Sequence, residues 1–138
     1  MQTATIAFDR FNQLADQDAG ERIRVAREKL GKDVVLLCHH YQRPDGYPHA
    51  DITGDSLKLP RLTSTFDATN IVFCGVHFMA EVADILSRPE QISILPDLAA
   101  GCSMADMANL AKVERCWREL ATVLNPDEKI TPVTYINS

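Results

Sequence analysis

Several features that mark specialised proteins are missing from this 138-residue sequence. The four cysteines are too far apart for a Cys-x-x-Cys pair, which excludes a compact zinc knuckle and a ferredoxin-type pattern. The sequence has no run of basic residues and its formal charge is −5, which makes nucleic acid and anionic lipid poor partners. Its apolar runs are far shorter than the roughly 20 residues that cross a bilayer. We therefore expect neither a nucleic-acid-binding nor a membrane protein.

The N-terminal residues lack the basic start and the apolar core of a secretion signal. Apolar residues make up 46% of the chain and charged residues 24%, the balance of an ordinary globular protein with room for one domain. We therefore expect a cytoplasmic location, where thiols stay reduced.

Helical and strand patterns alternate along the chain. Predicted strands cover residues 33–38, 70–74, 92–95 and 130–135, and predicted helices cover residues 21–30, 56–65, 79–86 and 104–124. A short helix or arm is expected before Ala19-Gly20, and a long loop over residues 42–54. Pro60 is expected to kink or shorten the helix predicted over residues 56–65. This order predicts an α/β fold with an open, four-stranded parallel sheet and helices on both faces.

Polar residues follow each predicted strand, where a parallel sheet gathers its ligands. The first strand ends at His39-His40-Tyr41. Because adjacent side chains on an extended backbone point to opposite faces, we expect one histidine to contact a ligand and do not expect both to chelate one ion. The alternative is a hydrogen-bonded histidine beside the core.

Cys102 stands out among the four cysteines because it lies between Gly101 and Ser103. Ser103 is the expected N-cap of a helix, whose N-terminal dipole would lower the pKa of the thiol. Such a thiolate suits a metal ligand, and the alternative is an unremarkable thiol in a tight turn. Cys38 and Cys74 lie in apolar runs and are interpreted as small core residues.

Gly54-Asp55-Ser56-Leu57 spells the signature of the Gly-Asp-Ser-Leu esterases, in which the serine is the nucleophile. The context argues against this interpretation, because no histidine follows His77 to act as the general base. A second interpretation is that Asp55 caps the next helix while Ser56 and the first amides hold an anionic group.

Five motifs, taken in order, resemble those of the quinolinate synthase family. The resemblance covers about residues 33–138 and rests on segments 38–42, 54–57, 74–81, 95–106 and 135–138, which include Cys74-Gly75-Val76-His77-Phe78-Met79-Ala80-Glu81 and Tyr135-Ile136-Asn137-Ser138.

The resemblance implies a three-layer αβα sandwich with a four-stranded parallel sheet, as one of the three similar domains of that family. Residues 1–32 would be a helical arm and residues 33–138 the first domain, with the second and third domains absent. It further implies a cytoplasmic transferase of NAD biosynthesis that condenses iminoaspartate with dihydroxyacetone phosphate to quinolinate. The isolated chain is expected to be inactive.

The resemblance also implies a [4Fe-4S] cluster held by three cysteines, which leaves one iron open to act as a Lewis acid. Cys102 matches one ligand, and neither Cys38, Cys74 nor Cys116 matches another. The residues at the family's substrate-binding positions are His39, Ser56, Phe78, Met79, Tyr135 and Asn137, and Tyr41 or Tyr135 would transfer or orient a proton.

The partners implied by the resemblance are the two small-molecule substrates and an L-aspartate oxidase or aspartate dehydrogenase. Two other functions stay open. One is a non-catalytic α/β module that binds an anion or a partner, and the other is a serine hydrolase that uses Ser56.

Overall fold

The computed structural model describes residues 11 and 13–134 as an α/β fold. The helices are α1 (Asp16–Leu30), α2 (Lys58–Leu62), α3 (His77–Leu86), α4 (Leu110–Leu120) and α5 (Pro126–Lys129). The strands are β1 (Val34–His39), β2 (Ile52–Gly54), β3 (Asn70–Cys74) and β4 (Ile92–Ile94). Short 3₁₀ helices cover Gly31–Asp33, Pro44–His49, Thr63–Thr65 and Ala105–Ala108. None of these described helices is long and apolar enough to cross a membrane.

The four strands form one all-parallel sheet in the order β2-β1-β3-β4, which confirms the predicted fold class. Right-handed crossovers place α2, between β2 and β3, and α3, between β3 and β4, on the same face. The connection from β1 to β2 runs in the opposite direction, so its 3₁₀ helix Pro44–His49 and the α1 packed against it cover the other face. The result is a three-layer arrangement.

The fourth strand is not the one that the sequence predicted. It is β2, which lies inside the predicted loop over residues 42–54, while residues 130–134 form no strand. β2 is only three residues long and follows a segment rich in proline and glycine, which hid it from the sequence pattern. Its pairing with β1 stabilises it. Residues 130–134 have no ladder partner in the described part of the chain, and a strand needs one.

Helix boundaries also differ from the prediction. α1 continues through Ala19-Gly20 and ends at Leu30. Gly31 follows it with a positive φ of 54°, a conformation that favours glycine after a helix. The helix that contains Pro60 is shorter than the predicted 56–65, since α2 covers only Lys58–Leu62. The proline lies in its first turn, where its missing N–H is not needed. Asn109 caps α4 by accepting the Lys112 amide at 3.1 Å.

The core lies between the sheet and the helices α2 and α3. Register pairs align Val35 with Ile71 and Leu37 with Phe73, and all four side chains are buried. The remaining core residues are Leu59, Ala68, Met79, Ala80 and Ala83. Because alternate residues of a strand share a face, His39 continues the row of Val35 and Leu37 toward this same layer.

Gly75 ends β3 at a point with no room for a side chain. A Cβ there would approach Cε1 of the fully buried Phe73 to 2.9 Å and Sδ of Met79 to 3.1 Å. We predict that Gly75→Ala lowers the free energy of unfolding by about 1–3 kcal/mol, the usual cost of overpacking a core. The measurement is denaturant unfolding followed by circular dichroism.

Gly46→Ala is the matched control, because its new Cβ meets only Sγ of Cys38 at an ordinary 3.9 Å. It should change the free energy of unfolding by less than about 0.5 kcal/mol. Equal stability of the two variants would contradict the packing that the structure shows around Gly75.

Candidate functional site

The carboxyl ends of all four strands meet at one edge of the sheet. The strand order puts the residues after β2 beside those after β1, followed by those after β3 and β4. The connection that follows β1 leads to β2 on one side of it, and the connection that follows β3 leads to β4 on the opposite side. The topological switch point therefore lies between β1 and β3. A crevice for a ligand is expected there, next to His39.

His39 is the last residue of β1 and is only 2% exposed. Its Nε2 lies 3.1 Å from Oγ of Ser56, and its Nδ1 lies 3.2 Å from the backbone nitrogen of Tyr41. A backbone N–H can only donate, so Nδ1 is the acceptor and the neutral ring carries its proton on Nε2. Nε2–H therefore donates to Ser56, and the hydroxyl proton of Ser56 stays available for another acceptor.

The surroundings of His39 favour this neutral form. Burial lowers the pKa of His39 below its ordinary value, the neighbouring His40 lowers it further, and the carboxylate of Asp55 partly offsets both effects. A neutral imidazole that donates to Ser56 cannot remove a proton from the same hydroxyl. The pair is thus arranged to hold a hydroxyl in place rather than to activate a nucleophile.

Ser56 lies in the turn that connects β2 to α2. Oδ1 of Asp55 accepts the amides of Leu57 and Lys58, each at 2.8 Å, which confirms the prediction that Asp55 caps this helix. These two amides hold the pKa of Asp55 below its usual range. Because Asp55 uses them, they are not free for an anion, and among these groups the Ser56 hydroxyl is the donor left available.

The two adjacent histidines do not point to opposite faces, as the sequence suggested. Their rings stack with centroids 4.4 Å apart and planes 23° apart. The reason is that β1 ends at His39, so His40 lies in a turn where strand alternation no longer applies. Tyr41, which is 84% exposed, packs edge-on against both rings.

Cys102 lies in the loop after β4, in a setting that differs from the prediction. Ser103 caps no α-helix, since the following helix Ala105–Ala108 is a single 3₁₀ turn and α4 is capped by Asn109. The loop is tied to the start of α3 by the amide of His77, which donates to the carbonyl of Ala100 at 2.9 Å. Cys102 is half-buried and free.

The other cysteines are free as well. Cys38 and Cys74 are register partners on β1 and β3, and burial raises the pKa of both thiols, that of Cys74 to about 11. Cys116 is exposed on α4. Among the described residues, no three His, Cys, Asp or Glu side chains come together to hold a metal ion. Cys102 is therefore a single candidate ligand.

Of the remaining predicted site residues, two lie at or near the core and two lie outside the described part of the chain. Met79 is 4% exposed and belongs to the core, and Phe78 packs partly buried against it at the start of α3. Tyr135 and Asn137 lie outside the described residues. The structure thus joins His39, Ser56 and Tyr41 in one cluster.

The neutral state of His39 predicts a pH-dependent stability. Since its pKa is lower in the folded than in the unfolded chain, the unfolded state binds more protons below about pH 6.5 and stability falls as the pH drops. His39→Gln should flatten the free energy of unfolding between about pH 7 and 5, measured by urea titration. His49→Gln is the control, and an unchanged slope in His39→Gln would contradict the buried neutral ring.

Comparisons with known proteins confirm the family that the sequence resembles. The family model described as NadA, quinolinate synthetase A protein, matches residues 21–138. The chain is 52% identical over 132 residues to a quinolinate synthase of Acidobacterium capsulatum. The matched segment covers 96% of this chain and 35% of that protein. It is 52% identical over 131 residues to a quinolinate synthase of Corynebacterium glutamicum, with 94% and 33% covered.

A quinolinate synthase of Bacillus cytotoxicus is 47% identical over 130 residues, with 94% of this chain and 35% of that protein covered. The chain thus spans about a third of the length of the curated relatives it matches. Because the family model covers most of the sequence, this chain belongs to the quinolinate synthetase A family.

Proposed function

We propose that this chain forms part of the active site of a quinolinate synthase, which condenses iminoaspartate with dihydroxyacetone phosphate to quinolinate in NAD biosynthesis. The observation that carries the proposal is the 3.1 Å contact between His39 and Ser56 at the carboxyl edge of the parallel sheet. Both proposed substrates are anions, one with carboxylates and one with a phosphate. A hydroxyl with its proton free is a donor for either group.

Ser56 is the proposed direct ligand of the anion, and His39 fixes its orientation. Because Nε2–H of His39 donates to Oγ, the Ser56 proton is directed to a different acceptor. An anion oxygen that reaches both groups can accept the Ser56 proton and compete for the His39 proton. Bonds of this kind to a charged acceptor contribute about 1.5–3 kcal/mol each.

The proposed proton-transfer residues are Tyr41 and Tyr135. Tyr41 supports this role because its ring is exposed beside the buried His39. Asn137, Phe78 and Met79 are proposed to complete the substrate pocket. The core position of Met79 makes it a wall behind Phe78 rather than a polar contact.

Cys102 is the proposed thiolate ligand of a [4Fe-4S] cluster, which supplies an iron that acts as a Lewis acid when bound. The described residues bring no three ligating side chains together around Cys102 or elsewhere, so they do not hold the cluster by themselves. We therefore expect the isolated chain to form no quinolinate.

The proposed location is the cytoplasm, where the four free thiols stay reduced. The proposed metabolic partner is an L-aspartate oxidase or aspartate dehydrogenase, since an enzyme of this kind must supply the unstable imine.

A serine hydrolase is the second candidate, because a serine and a histidine do lie within hydrogen-bonding distance. The direction of the bond argues against it, since His39 donates to Ser56 and has no acceptor left for the hydroxyl proton. We predict that a fluorophosphonate probe leaves Ser56 unlabelled, as read by intact-mass spectrometry. A stoichiometric adduct on Ser56 that disappears in Ser56→Ala would favour the hydrolase instead.

Anion binding tests the proposed role of Ser56 directly. Ser56→Ala removes the hydroxyl and should weaken binding of malonate or inorganic phosphate at least tenfold, the effect of one hydrogen bond to a charged group. The measurement is a titration of backbone amide shifts by NMR in the 138-residue chain.

Ser64→Ala is the matched control, since Ser64 is exposed in the 3₁₀ turn after α2. It should bind both anions as the unchanged chain does. Equal affinities of the two variants, or no binding of either anion by the unchanged chain, would contradict the proposed anion site. A non-catalytic anion-binding module would show the same binding, and only quinolinate formation by the native protein separates it from the synthase.

A further inference from the structure

His40 makes contacts that no role assigned so far explains. Its backbone N–H donates to the carbonyl of Gly54 at 3.1 Å, and its Nδ1 lies 3.0 Å from the same oxygen. A carbonyl cannot donate, so Nδ1 carries a proton and the imidazole donates as well. The carbonyl of His40 in turn accepts the hydroxyl of Tyr47. His40 is thus bound through its amide, its carbonyl and its ring.

Gly54 connects these contacts of His40 to the candidate site. It is the register partner of His39 and the last residue of β2, and Ser56 follows two residues later. Holding the Gly54 carbonyl with two donors fixes where β2 ends and where the Asp55-Ser56 turn begins. The 3.1 Å contact between Ser56 and His39 depends on that position.

The contacts of Asp55 hold the Asp55-Ser56 turn on its α2 side. Asp55 binds the amides of Leu57 and Lys58 ahead of it, which orients the turn relative to α2 but not relative to β1. β2 itself is three residues long and gives a short ladder. Besides the contact of His39 with Ser56 itself, the imidazole of His40 is therefore the side-chain contact that ties the turn to the end of β1.

We propose that His40 is a positioning residue: its imidazole holds the carbonyl of Gly54 and thereby keeps Ser56 within hydrogen-bonding distance of His39. Its ring also stacks on His39, but the hydrogen bond is the contact that sets the distance. The inference rests on the proposed function in one respect: if Ser56 binds an anion, His40 sets the geometry of that anion site. The geometry itself can be tested with no ligand present.

Three substitutions separate the hydrogen bond from the stacking. His40→Asn keeps a donor on Cγ, where Nδ1 stands, and removes the ring. His40→Leu has nearly the same shape as asparagine and no donor. His40→Phe keeps a ring to stack on His39 and has no donor. All three retain the backbone N–H to Gly54, so the β1–β2 ladder is preserved.

The readout is the ¹⁵N and ¹H spectrum of the His39 ring in the 138-residue chain at pH 8. In the unchanged chain we expect a protonated Nε2, an unprotonated Nδ1 and slow exchange of the Nε2 proton with water. His40→Leu and His40→Phe should speed that exchange roughly fivefold, the effect of one ordinary hydrogen bond. His40→Asn should restore the slow exchange.

Backbone amide shifts of Leu37 and Phe73 report whether the core stays folded, and His49→Asn is the control for loss of a histidine elsewhere. The proposal is overturned if His40→Leu and His40→Phe leave the exchange unchanged. It is also overturned if His40→Phe keeps the slow exchange of the Nε2 proton while His40→Asn speeds it. The stacking of the rings, and not the hydrogen bond, would then position Ser56. These outcomes are independent of anion binding, so a failure here is distinct from a failure of the proposed function.

Discussion

The parallel pairing of β2 with β1 is the contact on which the polar edge depends. It sets Gly54 beside His39, and this register brings Ser56, from a segment 17 residues further along the chain, to the ring of His39. Without β2 the sheet would still hold its core between β1, β3 and α3. The serine would then have no fixed relation to the histidine, and the site would lose its donor.

Burial of His39 explains why its hydrogen bond with Ser56 runs in one direction. His39 lies in the same row as Val35 and Leu37, so the packing that builds the core also removes water from the imidazole. The ring stays neutral, the amide of Tyr41 occupies Nδ1, and the only proton of the ring faces Ser56. A hydroxyl held in this way keeps its proton free to donate and is a poor nucleophile.

The sequence predicted the parallel sheet, the strands β1, β3 and β4, and the collection of polar residues at one edge, because apolar runs and glycines mark these features locally. It missed β2, since three residues are too few for a strand pattern, the preceding segment is rich in proline and glycine, and pairing with β1 holds the strand. The contact of His39 with Ser56 was missed for the same reason. The role of His40 depends on the turn after β1 and on Gly54, a relation that no local pattern reports.

The measurement that tests the central claim most directly is quinolinate formation by the native protein, purified without oxygen from its source cells, with intact mass and iron content recorded on the same sample. Since the chain spans about a third of its relatives, the account predicts a polypeptide of roughly three times 15.4 kDa that holds four irons and forms quinolinate. A native polypeptide of 15.4 kDa that binds no iron and forms no quinolinate would contradict it.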